Sequence, residues 1–230
     1  MKKLLLILVG VLLFGACKYE YCGDPVSEKS KYYCKSSDGY YYQGGSIIIY
    51  RRIPLEVDKE SFEVLSQGYA KDKDQVFFEF HRIKEANPAT FEALSDYFGK
   101  DDKHAFWRTN VIKQADAASF YVNETGVPMD KNHVFIWNES GYGFIPSPID
   151  LDKDTVEQVE SHGVLHMLKD KNGVYWHGSR LPADAESFHA RESFWGTCYW
   201  EDKNGKYCER WDPNDRNKIF IVDGNGKVLN

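Results

Sequence analysis

The chain lacks an apolar run long enough to cross a bilayer as a helix. Its longest, from Leu4 to Phe14, falls well short of the roughly 20 residues that a span needs. It also lacks any cluster of Lys and Arg, and its formal net charge is −6 at pH 7, which excludes nucleic acid or anionic lipid as a non-specific partner. Lys31 and Lys35 beside Tyr32 and Tyr33 form the nearest approach to a basic aromatic patch, and two lysines are too few. No Cys-x2-Cys pair occurs to suggest a structural metal site. No Gly-x-Ser-x-Gly sets a nucleophile on a sharp turn, so Ser147, Ser161, Ser179 and Ser187 carry no hydrolase signal. Gly44-Gly45 and Gly224-Asn225-Gly226 lack the lysine and hydroxyl of a phosphate-binding loop and read as turns. No cofactor and no catalytic residue is expected.

What the amino terminus does contain is ordered like a signal peptide. Lys2 and Lys3 precede the apolar run, which closes on Gly15-Ala16-Cys17. Leu13 to Cys17 resembles the bacterial lipobox, although Phe14 stands where that motif prefers leucine. The resemblance implies cleavage before Cys17, acylation of its thiol and a lipid bilayer as first partner, since two or three acyl chains hold a protein firmly. Residues 1–16 are then the signal peptide, and loss of Lys2 and Lys3 takes the net charge from −6 to −8. Lys18, next to the lipidated cysteine, resembles a sorting signal for the outer membrane, so the expected location is the bacterial envelope, anchored and facing the periplasm.

Four cysteines remain: Cys22, Cys34, Cys198 and Cys208. An even number in a compartment that permits disulfides suggests two bridges, with three pairings possible. Cys22–Cys34 and Cys198–Cys208 are favoured because each pair is close in sequence. For the second pair, a reversal centred on Lys203 would bring the thiols opposite one another, whereas a two-residue or four-residue turn would displace that register.

The strongest internal signal is a repeat. Asp72-Lys73-Asp74-Gln75-Val76-Phe77 returns as Asp101 to Phe106, Asp130 to Phe135, Asp170 to Tyr175 and Asp202 to Tyr207, the leading Asp recurring after 29, 29, 40 and 32 residues. Phe62, Phe91 and Phe120 each stand ten residues before the Asp, and Val156 and Phe188 stand fourteen before it. Ser37 to Tyr41 looks like a degenerate opening unit. Asp, Asn and Gly suit tight turns, including those with positive φ, so each core reads as a reversal between strand-like flanks, one β-hairpin per unit. Asn87-Pro88-Ala89-Thr90-Phe91 and its counterparts at Asp116 and Asp184 suit a short helical turn. The fold class expected is mainly β: tandem hairpins of about 30 residues with short helical turns. Such a period is shorter than the roughly 40–45 residues of a four-stranded propeller blade, which favours an open, solenoid-like array over a barrel or propeller. With 14 Phe, 15 Tyr and 6 Trp in 230 residues, the aromatics at Phe77, Phe106, Phe135, Tyr175 and Tyr207 should plug one repeat against the next.

The Asp-Lys-Asn-x-Val-Tyr/Phe core, with its Ser/Thr-Phe-Glu-Val-Leu and Gly-Tyr-Ala-Lys lead-in, resembles the DKNYY repeat family of bacterial envelope proteins. The likeness covers residues 55–210, between a lipidated segment 17–54 and an extension 211–230. It implies a fold type and a compartment, with no activity attached. Departures include Asp102-Lys103 in place of Lys-Asn. Histidines offer little against this: His104 and His133 share one repeat position, beside the turn. His162, His166 and His177 lie near Glu157 and Glu160, but Gly163 disfavours the helix that would pair the first two, and a strand would set them about 13 Å apart. No metal site is expected. The function expected is therefore a non-enzymatic scaffold or a binding module for an envelope protein or glycan. The runner-up is a hydrolase or metal-dependent enzyme working through Ser140 to His177.

Overall fold

The structure is a computed structural model that describes residues 23–46, 49–138, 143–159, 167–191, 198–214 and 219–229. Cys17, Lys18, Cys22, Glu160, Ser161, His162 and His166 lie outside the described residues. The described residues are all-β and form seven small antiparallel sheets in which neighbours in sequence are neighbours in space. The first holds β1 (Asp24–Ser27), β2 (Ser30–Ser36), β3 (Gly39–Ser46) and β4 (Ile49–Leu55). The next two are β5 (Glu63–Val64), β6 (Tyr69–Lys71), β7 (Val76–Phe78) and β8 (His81–Ile83), then β9 (Glu92–Ala93), β10 (Phe98–Lys100), β11 (Ala105–Trp107) and β12 (Asn110–Val111). The fourth unit is split into two ribbons, β13 (Tyr121–Val122) with β14 (Pro128–Met129) and β15 (Phe135–Asn138) with β16 (Gly143–Pro146), linked by a single bridge from Met129 to Val134. Pro128 takes one donor out of the ladder there. The last two sheets are β17 (Glu157–Gln158), β18 (Met167–Asp170), β19 (Gly173–Trp176) and β20 (Ser179–Leu181), then β21 (His189–Ala190), β22 (Cys198–Asp202), β23 (Gly205–Trp211) and β24 (Ile219–Asp223).

Two expectations are corrected. Each unit has four strands rather than a lone hairpin, joined as one meander in all but the fourth, and four strands fit into 29 residues because most are two or three residues long. The expected short helical turns are absent, because no helix occurs among the described residues. At Asn87 the chain makes one turn, in which the N–H groups of Thr90 and Phe91 donate to Asn87 O at 3.2 and 2.9 Å. Glu92 and Ala93 are then claimed by Lys100 and Gly99 across the sheet. A single hydrogen-bonded turn cannot nucleate a helix while the next residues gain ladder bonds.

The core lies between consecutive sheets. Tyr69, Val76, Phe78 and Ile83 of one unit pack on Phe91 and Phe106 of the next, and Phe98, Ala105 and Ile112 pack on Phe120 and Phe135. Val127, Met129, Val134 and Ile136 meet Val156, Leu168 and Tyr175, and Met167, Val174 and Trp176 meet Phe188, Trp200 and Tyr207. A central strand therefore buries both faces, which is why Val76-Phe77-Phe78 is apolar throughout instead of alternating. Lysines tie the units together as well: Lys71 Nζ donates to Phe91 O at 3.2 Å, Lys100 Nζ to Phe120 O at 3.0 Å and Lys169 Nζ to Phe188 O at 2.9 Å.

Cys198 and Cys208 are joined by a disulfide. The reversal between them is not centred on Lys203. Asp202 pairs with Gly205 across a two-residue turn, a register that would set Cys198 opposite Glu209. A bulge at Tyr199 absorbs one residue and returns Cys198 to Cys208. Cys34 is also disulfide-bonded, and Cys22, with which the sequence pairs it, lies outside the described residues. The segment after residue 210 supplies β24, which covers the final hairpin along five residue pairs from Tyr207–Asp223 to Trp211–Ile219.

Candidate functional site

The two ends of the strands carry different chemistry. At one end sits the repeated turn, whose leading aspartates are buried: Asp72, Asp101, Asp130, Asp170 and Asp202 are all at most 9% exposed. One carboxylate oxygen of Asp130 accepts the N–H groups of Asn132 and His133, both at 2.7 Å, and the other accepts Asp116 N at 2.9 Å. The same three bonds recur around Asp72, Asp101, Asp170 and Asp202. Each Asp thus replaces a backbone carbonyl in closing its turn and fastens that turn to the start of its own unit. Burial alone would raise the pKa of Asp72, Asp130 and Asp202, but the donated N–H groups outweigh it and hold each below the usual range.

A second layer surrounds these aspartates. Lys73 pairs with Asp58 at 2.8 Å, Lys131 with Asp116 at 2.7 Å, Lys203 with Asp184 at 2.7 Å and Lys171 with Asp152 at 2.5 Å. Lys73 and then Ser61 hold Asp58 down to about 2, as Lys131 and Ser119 do Asp116, and Lys203 and Ser187 do Asp184. In the third unit both partners change together: Asn87 replaces the Asp and Asp102 replaces the Lys, and Asn87 Nδ2 donates to Asp102 Oδ1 at 2.9 Å. The departure at Asp102 therefore preserves the contact. Tyr175 and Tyr207, standing where earlier units have Phe, donate their hydroxyls to Asp170 and Asp202 at 3.1 and 2.8 Å. Carboxylate, ammonium and hydroxyl lie close together here, as in many active sites. The buried carboxylate recurs in five units and the ammonium in four, and their mutual satisfaction gives them a structural role.

The opposite end is unlike from unit to unit. There the β7–β8 turn and its counterparts begin on residues in the left-handed region, Glu79 (φ 56°), Arg108 (φ 54°) and His177 (φ 47°). The positive φ expected at the Asp-Lys turns thus falls at the far turns among non-glycine residues. Backbone bonds hold the first two, with Glu79 N donating to Gly68 O at 2.6 Å and Arg108 N to Tyr97 O at 2.8 Å.

Between the first three units this end opens a groove of about 320 Å³ whose walls include Tyr32, Tyr42, Phe78, Phe80 and Tyr97, with Glu79 and Asp96 among them. Gly68 forms its floor, accepting the Tyr33 hydroxyl at 2.6 Å. A Cβ on Gly68 would come within 2.3 Å of Asp96 O, so the backbones can approach only with glycine there. Tyr97 is 48% exposed. Gln67 donates its backbone N–H and Nε2 to the Asp96 carboxylate at 3.1 and 3.3 Å. Burial, followed by the nearby negative charge of Glu79, pushes the Tyr42 pKa well up. Arg108 lies 5.4 Å from the Phe78 ring centre and 5.7 Å from that of Tyr97, and Lys31 Nζ lies 5.3 Å from the Tyr32 ring.

Of the residues that motivated an enzymatic alternative, His177 borders a small cavity of about 20 Å³ among Ile136, Leu168 and Tyr175. Burial, which outweighs a hydrogen bond to the Trp137 backbone, lowers its pKa to about 4. No group of three His, Cys, Asp or Glu side chains that could hold a metal ion occurs among the described residues. His104 and His133 sit beside their turns, with Nδ1 3.7 and 3.4 Å from Asp101 and Asp130. Sequence reasoning passed over Glu79, Phe80, Asp96 and Tyr97 because it followed the recurring landmarks. The available signal was mismatch, Tyr97 standing where the preceding unit has Gly68. No helix long and apolar enough to cross a membrane occurs among the described residues.

A family model described as the DKNYY family matches the chain over residues 33–120 and again over 69–211. The overlap of the two matches is what a model of several repeats gives when it can slide by a unit. No curated protein and no solved structure matches.

Proposed function

This chain belongs to the DKNYY family, and on that premise we propose that it is a non-enzymatic lipoprotein of the bacterial envelope that works as a scaffold and binding module. Acylated Cys17 anchors it in the outer membrane, facing the periplasm. The Asp-Lys turns form the framework, and the far-turn end of the strands presents the surface that engages an envelope protein or glycan. The observation that carries this reading is the division of chemistry between the two ends. The groups capable of acid–base work are spent in equivalent structural networks, while unlike aromatic and polar side chains converge on a groove at the other end.

Retention on isolated envelopes of the source bacterium tests the proposal, using the non-acylated Cys17→Ser protein so that lipid does not mask binding. Phe80→Ala with Tyr97→Ala should abolish retention, and Lys103→Ala with Lys171→Ala should leave it intact. Equal loss from both pairs, or no retention of the parent protein, would overturn the assignment of the binding end. The anchor is tested separately: labelled palmitate should enter the parent protein and not the Cys17→Ser variant.

A further inference from the structure

The groove at the joint of the first three units also limits the chemistry of its ligand. Two carboxylates, Glu79 and Asp96, line it and no lysine or arginine among the described residues does, while Arg108 lies 5.4 and 5.7 Å from the ring centres of Phe78 and Tyr97 and Lys31 lies 5.3 Å from that of Tyr32. A cationic ligand would meet Arg108 already placed over Phe78 and Tyr97. An anionic ligand would meet both carboxylates. Carboxylates in the lining disfavour an anion and Arg108 beside two of its rings disfavours a cation, which leaves an uncharged occupant.

Size and lining narrow the choice further. A volume of about 320 Å³ stands at the small end of ligand clefts, at roughly 300–1,000 Å³, and suits a short linear segment better than a folded domain. The exposed ring of Tyr97 offers a face to the C–H face of a sugar ring. The Gln67 amide and the Asp96 carboxylate, bonded to one another, and the Glu79 carboxylate in the same lining can exchange hydrogen bonds with hydroxyls. An aromatic platform beside an amide donor and carboxylate acceptors is the complement of a neutral pyranoside.

We propose that the groove formed by Tyr42, Phe80 and Tyr97 with Gln67, Glu79 and Asp96 binds an uncharged stretch of an envelope polysaccharide. The inference rests on the reading of the far-turn end as the binding surface, and it commits that surface to glycan over protein.

The test is isothermal titration of the Cys17→Ser protein with a panel of neutral oligosaccharides that includes chitotriose, cellotriose and maltotriose, with trilysine and trigalacturonate as charged controls. At least one neutral member should bind. Tyr97→Ala should weaken that binding by about tenfold or more, as loss of an aromatic stacking partner does, and Tyr97→Phe should restore it. Gln67→Ala, a second exposed position, should weaken it too, and circular dichroism should show each variant folded. Absence of binding across the neutral panel, binding that Tyr97→Ala leaves unchanged, or preference for either charged control would overturn the inference. Loss of envelope retention in the Phe80/Tyr97 variant without any glycan binding would overturn it while leaving the broader function standing. Loss of envelope retention from both ends would remove that function as well.

Discussion

Replacing Asp130 by Ala removes the group that closes the fourth unit's turn, and the structure sets the size of the effect. The carboxylate accepts three backbone N–H groups, from Asn132, His133 and Asp116, at 2.7 to 2.9 Å, and its residue is 1% exposed. Hydrogen bonds to a charged group contribute about 1.5–3 kcal/mol each, and an orphaned buried donor costs about 1–3 kcal/mol. The three are not additive because they share one acceptor group, so the expected loss is about 3–5 kcal/mol. With a urea dependence near the upper part of the usual range, the midpoint should fall by about 1–2 M. Lys131→Ala provides the control. Its ammonium bonds Asp116 at 2.7 Å but is 61% exposed, and such pairs contribute little. Urea unfolding followed by Trp fluorescence at pH 7 should therefore show a large shift for Asp130→Ala and almost none for Lys131→Ala. Equal shifts would refute the argument that burial and backbone capping make the aspartate the keystone of each unit.

Asn87→Asp alone should lower the melting temperature, because it sets two carboxylates together at Asp102, and adding Asp102→Lys should recover it; calorimetry of the single and double variants measures the coupling. His177 has a folded pKa depressed to about 4 from a reference near 6.5, so protonation favours the unfolded chain. Its contribution is complete above about pH 6.5 and is lost as pH falls to about 4, by up to about 3 kcal/mol. His177→Asn should flatten stability over that window, Asn tolerating positive φ. The depressed aspartates, Asp72, Asp130 and Asp202 among them, act lower: their contribution is present above about pH 4 and falls away below it. Reducing the Cys198–Cys208 bridge, which closes a short loop of sequence separation 10, should destabilise the last unit by about 2.5–3 kcal/mol, seen as faster hydrogen exchange in β22 and β23 than in β6 and β7.

The repeat and its β character were legible because turn residues and apolar flanks recur in fixed order. The outer strands of each unit were not, since Glu63-Val64 and Glu92-Ala93 are too short to show alternation. Thr-Phe-Glu after Pro88 carries helical propensity, and cross-strand bonds overrode it. Positive φ was expected where Asp and Asn cluster, yet no Asp or Asn of those turns adopts it, and the non-glycine residues that do are Glu79, Arg108 and His177. The bulge at Tyr199 left no sequence mark, so the route by which Cys198 meets Cys208 could be found only from the strand register. The groove was hidden for a general reason. Its residues come from three units and from positions that do not repeat, whereas a search for repeats sees only what recurs.

Site-specific photo-crosslinking in cells tests the division of labour between the two ends most directly. A benzophenone side chain is placed at Phe80, Tyr97 or Thr109 at the far turns, and at Lys103, Lys131 or Lys171 at the Asp-Lys turns, each in an otherwise unchanged protein. Adducts with envelope material should form from the first set and be absent from the second. Adducts concentrated at Lys103, Lys131 and Lys171, with none from Phe80, Tyr97 and Thr109, would contradict the account.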